Sequence, residues 1–337
     1  MSAPPATRVR LSDPAELIAA VPHLLGFRPR DSLVLITLDG KRVGLTLRAD
    51  LVPAGSEDQL AEQLLAPVVR QRPTGAMLLV LGGEPAVTGG LPHRGLVDTV
   101  DGALAAAGIP VVHAAWAAST TPGVPWCCYD EPGCAGTVPD PAGSPIEAAS
   151  VAAGTVTFDS REELAALLTP DDPAVLARRA VMLDAADRAH PLAGTAAARG
   201  YRVLRVLLQA AAKGRLELDD SACVEAASAL CDHRIRDSCL AWSDGDDDTA
   251  AEQLWLALTR ATPAPQRAEP ATLLGFAAYL RGDGALAGLA LEAALDACPE
   301  HTLASLLRAA LSGGLAPATL RMLARDAAAD AALDDRA

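Results

Sequence analysis

Three cysteines stand close together near the middle of the chain, and thiols are the side chains that most readily bind soft metal ions or undergo redox reactions. Cys127, Cys128 and Cys134 lie in the segment WCCYDEPGC, residues 126–134, and the nearest histidine is His113. A tetrahedral zinc site needs four thiolate or imidazole ligands, and adjacent cysteines rarely bind one ion together. The sequence therefore predicts no metal and no cofactor, and a functional thiol or metal site at this thiol cluster is the alternative.

A second set of candidate residues lies within and after the segment HLLGFRPRDS, residues 23–32. Gly26 and Pro29 of this segment predict a sharp elbow in the chain. One interpretation is a hydrophobic elbow whose polar side chains only satisfy loose backbone groups. The other is a ligand cleft bordered by polar side chains from the elbow and from the end of a nearby strand. These side chains are Arg28, Asp31, Ser32, Arg48 and Asp50.

A glycine-rich connection adds to the second interpretation. Gly82 and Gly83 follow an apolar strand and precede a helix that contains Arg94, an order in which α/β proteins bind anions with backbone N–H groups. The spacing matches neither a dinucleotide fingerprint nor a P-loop, and Glu84 would repel a phosphate. A flexible connection is the simpler prediction, and an anion-binding cleft is the alternative.

Other motifs favour packing or turns over chemistry. Cys223, Cys231 and Cys239 recur every eight residues of one predicted helix, so their side chains cannot converge on one ion. Counting from Asp244, an EF-hand loop would need glycine where Thr249 stands, so the acidic run is not a calcium loop. The sequence contains no nucleophile elbow, zinc-protease motif or kinase motif set.

The elements that must position these residues change character near residue 159. Before it, strand-like and helix-like segments alternate, as in an α/β layer with at least one parallel crossover. Asp39-Gly40 predicts a hairpin turn, Pro22 predicts that the first helix ends at Val21, and residues 119–144 read as a long loop. The predicted helices are 14–21, 56–71 and 95–107, and the predicted strands are 33–38, 43–49, 76–81, 109–113 and 155–158.

From Ser160 onward the apolar residues repeat at helical spacing. Helices are predicted at about 173–189, 196–213, 219–241, 249–261, 270–281, 283–297, 299–312 and 317–333. The layout around Gly282-Asp283-Gly284 is similar to tetratricopeptide-type helix hairpins, here over about 270–333. We therefore predict two domains: 1–158, an α/β domain with a mixed sheet and the Cys/Pro/Gly-rich loop at 119–144, and 159–337, an all-α domain.

The stretch LSDPAELIAAVPHLLGFRPRDSLVLITLDGKRVGLTLRADL, residues 11–51, resembles the opening of an uncharacterised bacterial family, the domain of unknown function 4192. The family shares the helix, the elbow with its Arg-x-Asp exit, and commonly a Gly-Asp-Gly helical segment near the C-terminus. Its members also have a Trp–Tyr–Cys-rich loop, but with the Cys-Cys pair further on than here, where the pair precedes Tyr129. The resemblance implies the conjoined architecture and attaches no activity to any residue.

Composition limits the classes of function. The 337 residues carry a formal net charge of −14, and only 3% of them are aromatic. Such an acidic chain is poorly suited to bind the phosphate backbone of a nucleic acid. No apolar run approaches membrane-spanning length, the first residues do not resemble a signal peptide, and seven cysteines do not suggest a secreted disulfide framework. We expect a cytoplasmic protein that binds neither nucleic acid nor membrane.

The best single prediction of function is a non-catalytic binding or assembly module, with a protein partner docking on the helical half. The alternative is an enzyme or a small-ligand sensor with an anion-binding cleft in the α/β domain.

Overall fold

The computed structural model describes residues 14–40, 42–83, 90–141, 156–189 and 194–330. By its contacts the chain divides into two compact units, Met1–Leu164 and Ala165–Ala337. The described residues of the first unit include the helices α1 (Pro14–Leu25), α2 (Glu57–Gln71) and α3 (Arg94–Ala106). Its strands are β1 (Ser32–Asp39), β2 (Arg42–Asp50), β3 (Gly75–Leu81), β4 (Val111–Ala117), β5 (Pro125–Cys128) and β6 (Ala135–Thr137).

The strands form one mixed sheet in the order β2-β1-β3-β4-β5-β6. The β3 and β4 strands are parallel and are connected through α3, which confirms the predicted crossover. The other neighbours are antiparallel. The predicted hairpin between β1 and β2 is confirmed, with Asp39 opposite Arg42 and Gly40 at a φ of 59° that favours glycine. Lys41 lies outside the described residues.

Successive side chains of a strand point to opposite faces, and the central strands β1 and β3 are buried on both. One face packs on α2 and α3 through residues such as Leu35, Leu78 and Trp116, against Leu64 and Val100. On the opposite face, α1 contacts β2 and β4. The strand β1 is therefore buried along its length from Ser32 to Thr37. A rigid sheet of this kind fixes the direction of every side chain at its edges.

Two predicted boundaries in this unit are wrong. The first helix does not end at Val21 but continues through Pro22 to Leu25. Proline removes one backbone hydrogen bond from a helix. Here the buried side chains of Val21 and Leu25 sit in the core on either side of it, so apolar packing outweighs that loss. The strand predicted at 109–113 begins later, at Val111, and continues to Ala117.

The segment 119–144 is not a loop throughout. It contains β5, which pairs with β4, and β6, which pairs with β5. The prediction missed them because Pro and Gly are frequent there, although Trp126 is a strand-favouring residue that becomes buried in the sheet. The part of this segment after residue 141 lies outside the described residues, as do Glu84 and Thr155. Of the strand predicted at 155–158, Phe158 makes an isolated parallel bridge with Phe27.

Every regular element described after residue 160 is a helix, which confirms the predicted change to an all-helical half. These helices are α4 (Arg161–Ala166), α5 (Pro173–Ala189), α6 (Gly194–Ala212), α7 (Asp220–Leu230), α8 (His233–Leu240), α9 (Asp248–Ala261), α10 (Ala268–Arg281), α11 (Gly284–Ala297), α12 (Thr302–Ser312) and α13 (Pro317–Asp330). A short 3-10 turn, Ala241–Ser243, follows α8.

The helix predicted at 219–241 is two helices. Asp232 breaks it, because its carboxylate accepts a hydrogen bond from the backbone N–H of Arg234 and caps α8. The α10 and α11 helices lie close together where Gly275 meets Leu291 and Ala287. This close approach is of the kind that small residues permit, and the tetratricopeptide-like assignment stays a prediction. No helix among the described residues is long and apolar enough to cross a membrane.

Candidate metal centre

His113 and Cys128 reach the same place because they share a face of the sheet. Cys128 of β5 lies opposite Ala115 of β4 in the antiparallel register. His113 is two residues before Ala115, so strand alternation sends both side chains to the same side. The sheet therefore brings together an imidazole and a thiol that are 15 residues apart in sequence.

Cys134 lies in the turn that joins β5 to β6. The backbone N–H of Cys128 donates to the carbonyl of Cys134 at 2.9 Å, so the two cysteines are cross-strand neighbours. The turn between them is closed by Cys134 N–H donating to the carbonyl of Glu131, with Gly133 at a φ of 87°. A side chain would be strained at that φ, so glycine fits the turn that sets Cys134 opposite Cys128.

The three side chains present their ligand atoms to one another. The Nε2 atom of His113 lies 2.9 Å from the Sγ of Cys128 and 3.8 Å from the Sγ of Cys134. The two sulfurs are in contact, and all three ligand atoms lie within 4.8 Å of one another. In a tetrahedral zinc site, bonds of about 2.0–2.3 Å hold such atoms roughly 3.5–4 Å apart. To seat an ion, rotation of the cysteine side chains would have to move the two sulfurs apart to that spacing.

Cys127, the third member of the thiol cluster, lies on the opposite face. It packs against the core formed by α2, α3 and the sheet, beside Tyr129. Burial raises the pKa of the Cys127 thiol, because the charged thiolate is poorly solvated there. The structure thus places Cys127 and Cys128 on opposite faces of the sheet. His113 joins Cys128 and Cys134 in one cluster, and Cys127 does not belong to it.

Arg94, at the start of α3, holds the turn between Cys128 and Cys134. Its guanidinium donates to the carbonyl of Tyr129 at 2.7 Å and to the carboxylate of Asp130 at 2.5 Å. It also pairs with Asp98 one helical turn on, at 3.0 Å, and lies 5.8 Å from the centre of the Tyr129 ring. The hydrogen bond with Asp130 is the main reason that the pKa of Arg94 is raised. One cation therefore ties α3 to the residue next to Cys128.

Tyr129 holds the same turn from its buried side. Its hydroxyl donates to the carbonyl of Pro92 at 2.6 Å, just before α3. Burial raises the pKa of this phenol, so it stays protonated and keeps its donor. The turn from Cys128 to Cys134 is consequently anchored at its first residue by two contacts with the same helix start.

Of the residues predicted to border an anion cleft, Asp31, Ser32, Arg48, Asp50 and Gly82 lie together at the start of β1, beside the ends of β2 and β3, whereas Arg28 and Arg94 pair with other carboxylates. Arg48 donates to the hydroxyl of Ser32 at 2.8 Å and pairs with Asp50 at 2.6 Å. Arg28 pairs with Asp159 at 3.4 Å. Arg94 is engaged at the turn described above. Each of the three arginines thus already has a carboxylate partner, and an added anion would compete with it.

The predicted glycine positions are where the backbone is most constrained. Gly82, at a φ of 99°, lies so close to Asp31 that an added Cβ would be 3.0 Å from the Asp31 Cα. Asp31 itself has a φ of 42°, uncommon for a residue other than glycine. Gly83, at a φ of 71°, faces Pro92 and His93. These contacts are the close packing of three chain segments at the end of β3, and Trp116 reinforces it by donating to the Gly82 carbonyl at 2.8 Å.

Sequence reasoning missed how His113 and the cysteines combine, although a signal existed. The two cysteines flank Tyr-Asp-Glu-Pro-Gly, and a Pro-Gly pair between two short apolar runs is a hairpin signal. A hairpin places Cys128 opposite Cys134 and sends Cys127 to the other face. That alternation removes the objection that adjacent cysteines rarely share an ion, since Cys127 and Cys128 are then not both ligands.

The arrangement defines a class of protein: a mixed α/β unit with an imidazole and two cysteine sulfurs at one side of its sheet, joined to an all-helical unit. The chain belongs to the family described as a domain of unknown function (DUF4192), whose match covers residues 14–318. No curated protein and no solved structure gives a significant match to the chain.

Proposed function

We propose that the N-terminal unit binds a divalent transition-metal ion, Zn²⁺ in the first instance, and that the protein is a non-catalytic binding module. The ligands would be the Nε2 of His113 and the thiolates of Cys128 and Cys134. The observation that carries the proposal is that His113 Nε2 faces both sulfurs, at 2.9 and 3.8 Å. Thiolate and imidazole are the ligands that suit zinc among the abundant divalent ions.

The number of ligands supports an open site. Zinc bound by three protein side chains completes its tetrahedron with water or another small ligand. His113 and Cys134 are both partly exposed, so such a ligand has access from solution. The cluster found among the described residues contains no carboxylate that could serve as a general base for zinc-bound water. This supports binding over hydrolysis.

The anion-binding cleft is supported less well, because its three arginines are paired with Asp50, Asp98, Asp130 and Asp159. It stays a prediction. So do the protein partner of the helical half and the cytoplasmic location.

The experiment is a metal titration of the full chain. Protein stripped with a chelator and kept reduced is titrated with Zn²⁺ against a chromogenic competitor. We expect one tightly bound zinc per chain, and its loss in His113→Ala, Cys128→Ser and Cys134→Ser. Cys127→Ser is the matched control and should bind zinc as the unaltered protein does. Equal binding by all four variants, or loss only in Cys127→Ser, would overturn the proposal.

A further inference from the structure

We propose that the candidate metal centre is also a redox switch, in which a hydroperoxide converts Cys128 and Cys134 to a disulfide and the metal ion is released. This inference rests on the proposed function, since release presupposes binding. It adds regulation of metal binding, because the two sulfurs can either bind the metal ion as thiolates or form a disulfide, but not both at once.

The backbone already has the spacing that the covalent pair requires. The Cα atoms of Cys128 and Cys134 are 5.5 Å apart, at the centre of the range found for disulfides. The two residues are held in that position by the hydrogen bond between Cys128 N–H and the Cys134 carbonyl. Arg94 and Tyr129 fix the turn from the side of α3. Oxidation therefore needs side-chain rotation and no movement of the strands.

Among the remaining cysteines of the described residues, Cys231 is exposed and Cys298 is partly exposed, but neither meets another sulfur. Cys223 and Cys239 are buried in the helical unit, and burial raises the pKa of both thiols. Cys127 faces the core on the other side of the sheet. Within the described residues, Cys128 and Cys134 are the cysteines whose sulfurs meet, and the others are single thiols. An oxidant should therefore form one intramolecular disulfide.

The electrons and atoms balance with one peroxide. Cys134, on the exposed turn, is oxidised by a hydroperoxide to a sulfenic acid, and the peroxide O–O bond breaks to give water or an alcohol. The sulfur of Cys128 attacks the Cys134 sulfur, the S–O bond breaks, and the hydroxyl leaves as water. Starting from two metal-bound thiolates, two protons from solution complete the two leaving groups. Both sulfurs lose their negative charge, so only His113 remains to hold the metal, which dissociates.

The test uses the full chain loaded with zinc. One equivalent of hydrogen peroxide is added, released Zn²⁺ is followed with a chromogenic chelator, and cross-linked peptides are mapped by mass spectrometry. We expect about one zinc released per chain, a Cys128–Cys134 cross-link, and recovery of zinc binding after a dithiol reductant. The control Cys127→Ser should behave in the same way.

A variant separates this inference from the proposed function. His113→Ala should bind little zinc and still form the Cys128–Cys134 disulfide, because the hairpin alone sets that spacing. A reduced protein that binds no zinc overturns the proposed function and the release of metal with it. A protein that binds zinc but keeps it under peroxide, with both thiols intact, overturns the switch alone. Release accompanied by oxidation of other cysteines also overturns the switch.

Discussion

The Nε2 atom of His113 lies 2.9 Å from the Sγ atom of Cys128, although the two residues belong to different strands and are 15 positions apart. Two features of the sheet produce this contact: the register that sets Cys128 opposite Ala115, and the alternation that gives His113 the same face as Ala115. A shift of that register by one residue would put the imidazole and the thiol on opposite sides of the sheet. The following predictions test what these contacts, and those elsewhere in the chain, do for binding and stability.

Arg94 should matter for the metal although it is not a ligand. Arg94→Gln removes the hydrogen bonds to the Tyr129 carbonyl and the Asp130 carboxylate, and so loosens the turn that holds Cys128 and Cys134. We expect zinc affinity to fall about tenfold, the lower end of what contacts behind metal ligands contribute, because Arg94 is half exposed. The measurement is competitive zinc titration.

The matched control for that prediction is Arg28→Gln. Arg28 has a similar exposed fraction, 43% against 47% for Arg94, and also pairs with a carboxylate. It should leave zinc affinity unchanged. Equal weakening of zinc binding by both variants would show that the contacts of Arg94 with the turn have no specific role.

Two neighbouring arginines of α5 should differ strongly in their effect on stability. Arg179 is 7% exposed and its guanidinium contacts Asp220, Asp171 and the Ala261 carbonyl. Arg179→Met removes the donor of the buried Ala261 carbonyl and one partner of two half-buried carboxylates, and should lower the free energy of unfolding by about 3 kcal/mol. Arg178 is 55% exposed, so its ion pair is screened by water and Arg178→Met should cost much less than Arg179→Met despite the shared partner Asp220.

Urea denaturation followed by circular dichroism gives both values from the shift in midpoint. Equal shifts for the two variants would show that burial of Arg179 contributes nothing beyond the surface pair.

Two glycines of the α10–α11 pair should respond to alanine with opposite signs. A Cβ at Gly275 would lie 2.8 Å from Leu291 and 3.3 Å from the Ala287 carbonyl, so Gly275→Ala overpacks the contact and should cost about 1–3 kcal/mol. A Cβ at Gly288 would meet only Leu311, at 3.8 Å. Gly288→Ala should therefore stabilise the protein by about 0.5–1 kcal/mol through helix propensity. Thermal midpoints that move in the same direction would contradict this packing.

Acid should remove part of the stability that Asp232 contributes. A hydrogen bond from Arg234 lowers the pKa of this carboxyl below its ordinary 3.8, and the carboxylate also caps α8. A folded-state pKa below the unfolded one stabilises the protein above pH 3.8, and the contribution disappears as pH falls through the folded-state value. Asp232→Asn keeps a capping oxygen and loses the charge.

We therefore expect Asp232→Asn to be less stable than the unaltered protein at pH 7, by roughly 1 kcal/mol since Arg234 is half exposed. The difference should shrink below about pH 3.8. Urea midpoints measured across that range check it, and a difference that is constant with pH would show that the charge is not responsible.

Much of the fold follows from local sequence signals. Asp39-Gly40 predicts the first hairpin because few other pairs tolerate such a turn, and the change to helical spacing after Ser160 predicts the helical half. The helix end predicted from Pro22 is wrong because proline acts on the backbone, whereas Val21 and Leu25 add tertiary packing that only the assembled core provides. The break at Asp232 was missed because the apolar spacing continues across it.

Local sequence signals do not predict the candidate metal centre, for a different reason. His113, Cys128 and Cys134 converge only after β4 and β5 pair in one register, and nothing in a single segment fixes the register between two segments. The thiols were visible in the sequence and the hairpin was readable from Pro132-Gly133. The histidine partner became evident only with the sheet.

The most direct test of the metal centre is zinc K-edge X-ray absorption of the reduced, zinc-loaded chain, with a Cys128→Ser/Cys134→Ser double variant for comparison. We predict a shell of two sulfur atoms at about 2.3 Å together with nitrogen or oxygen atoms at about 2.0 Å, and loss of the sulfur shell in the double variant. A shell of nitrogen and oxygen alone, or a sulfur shell that survives in the double variant, would contradict the account.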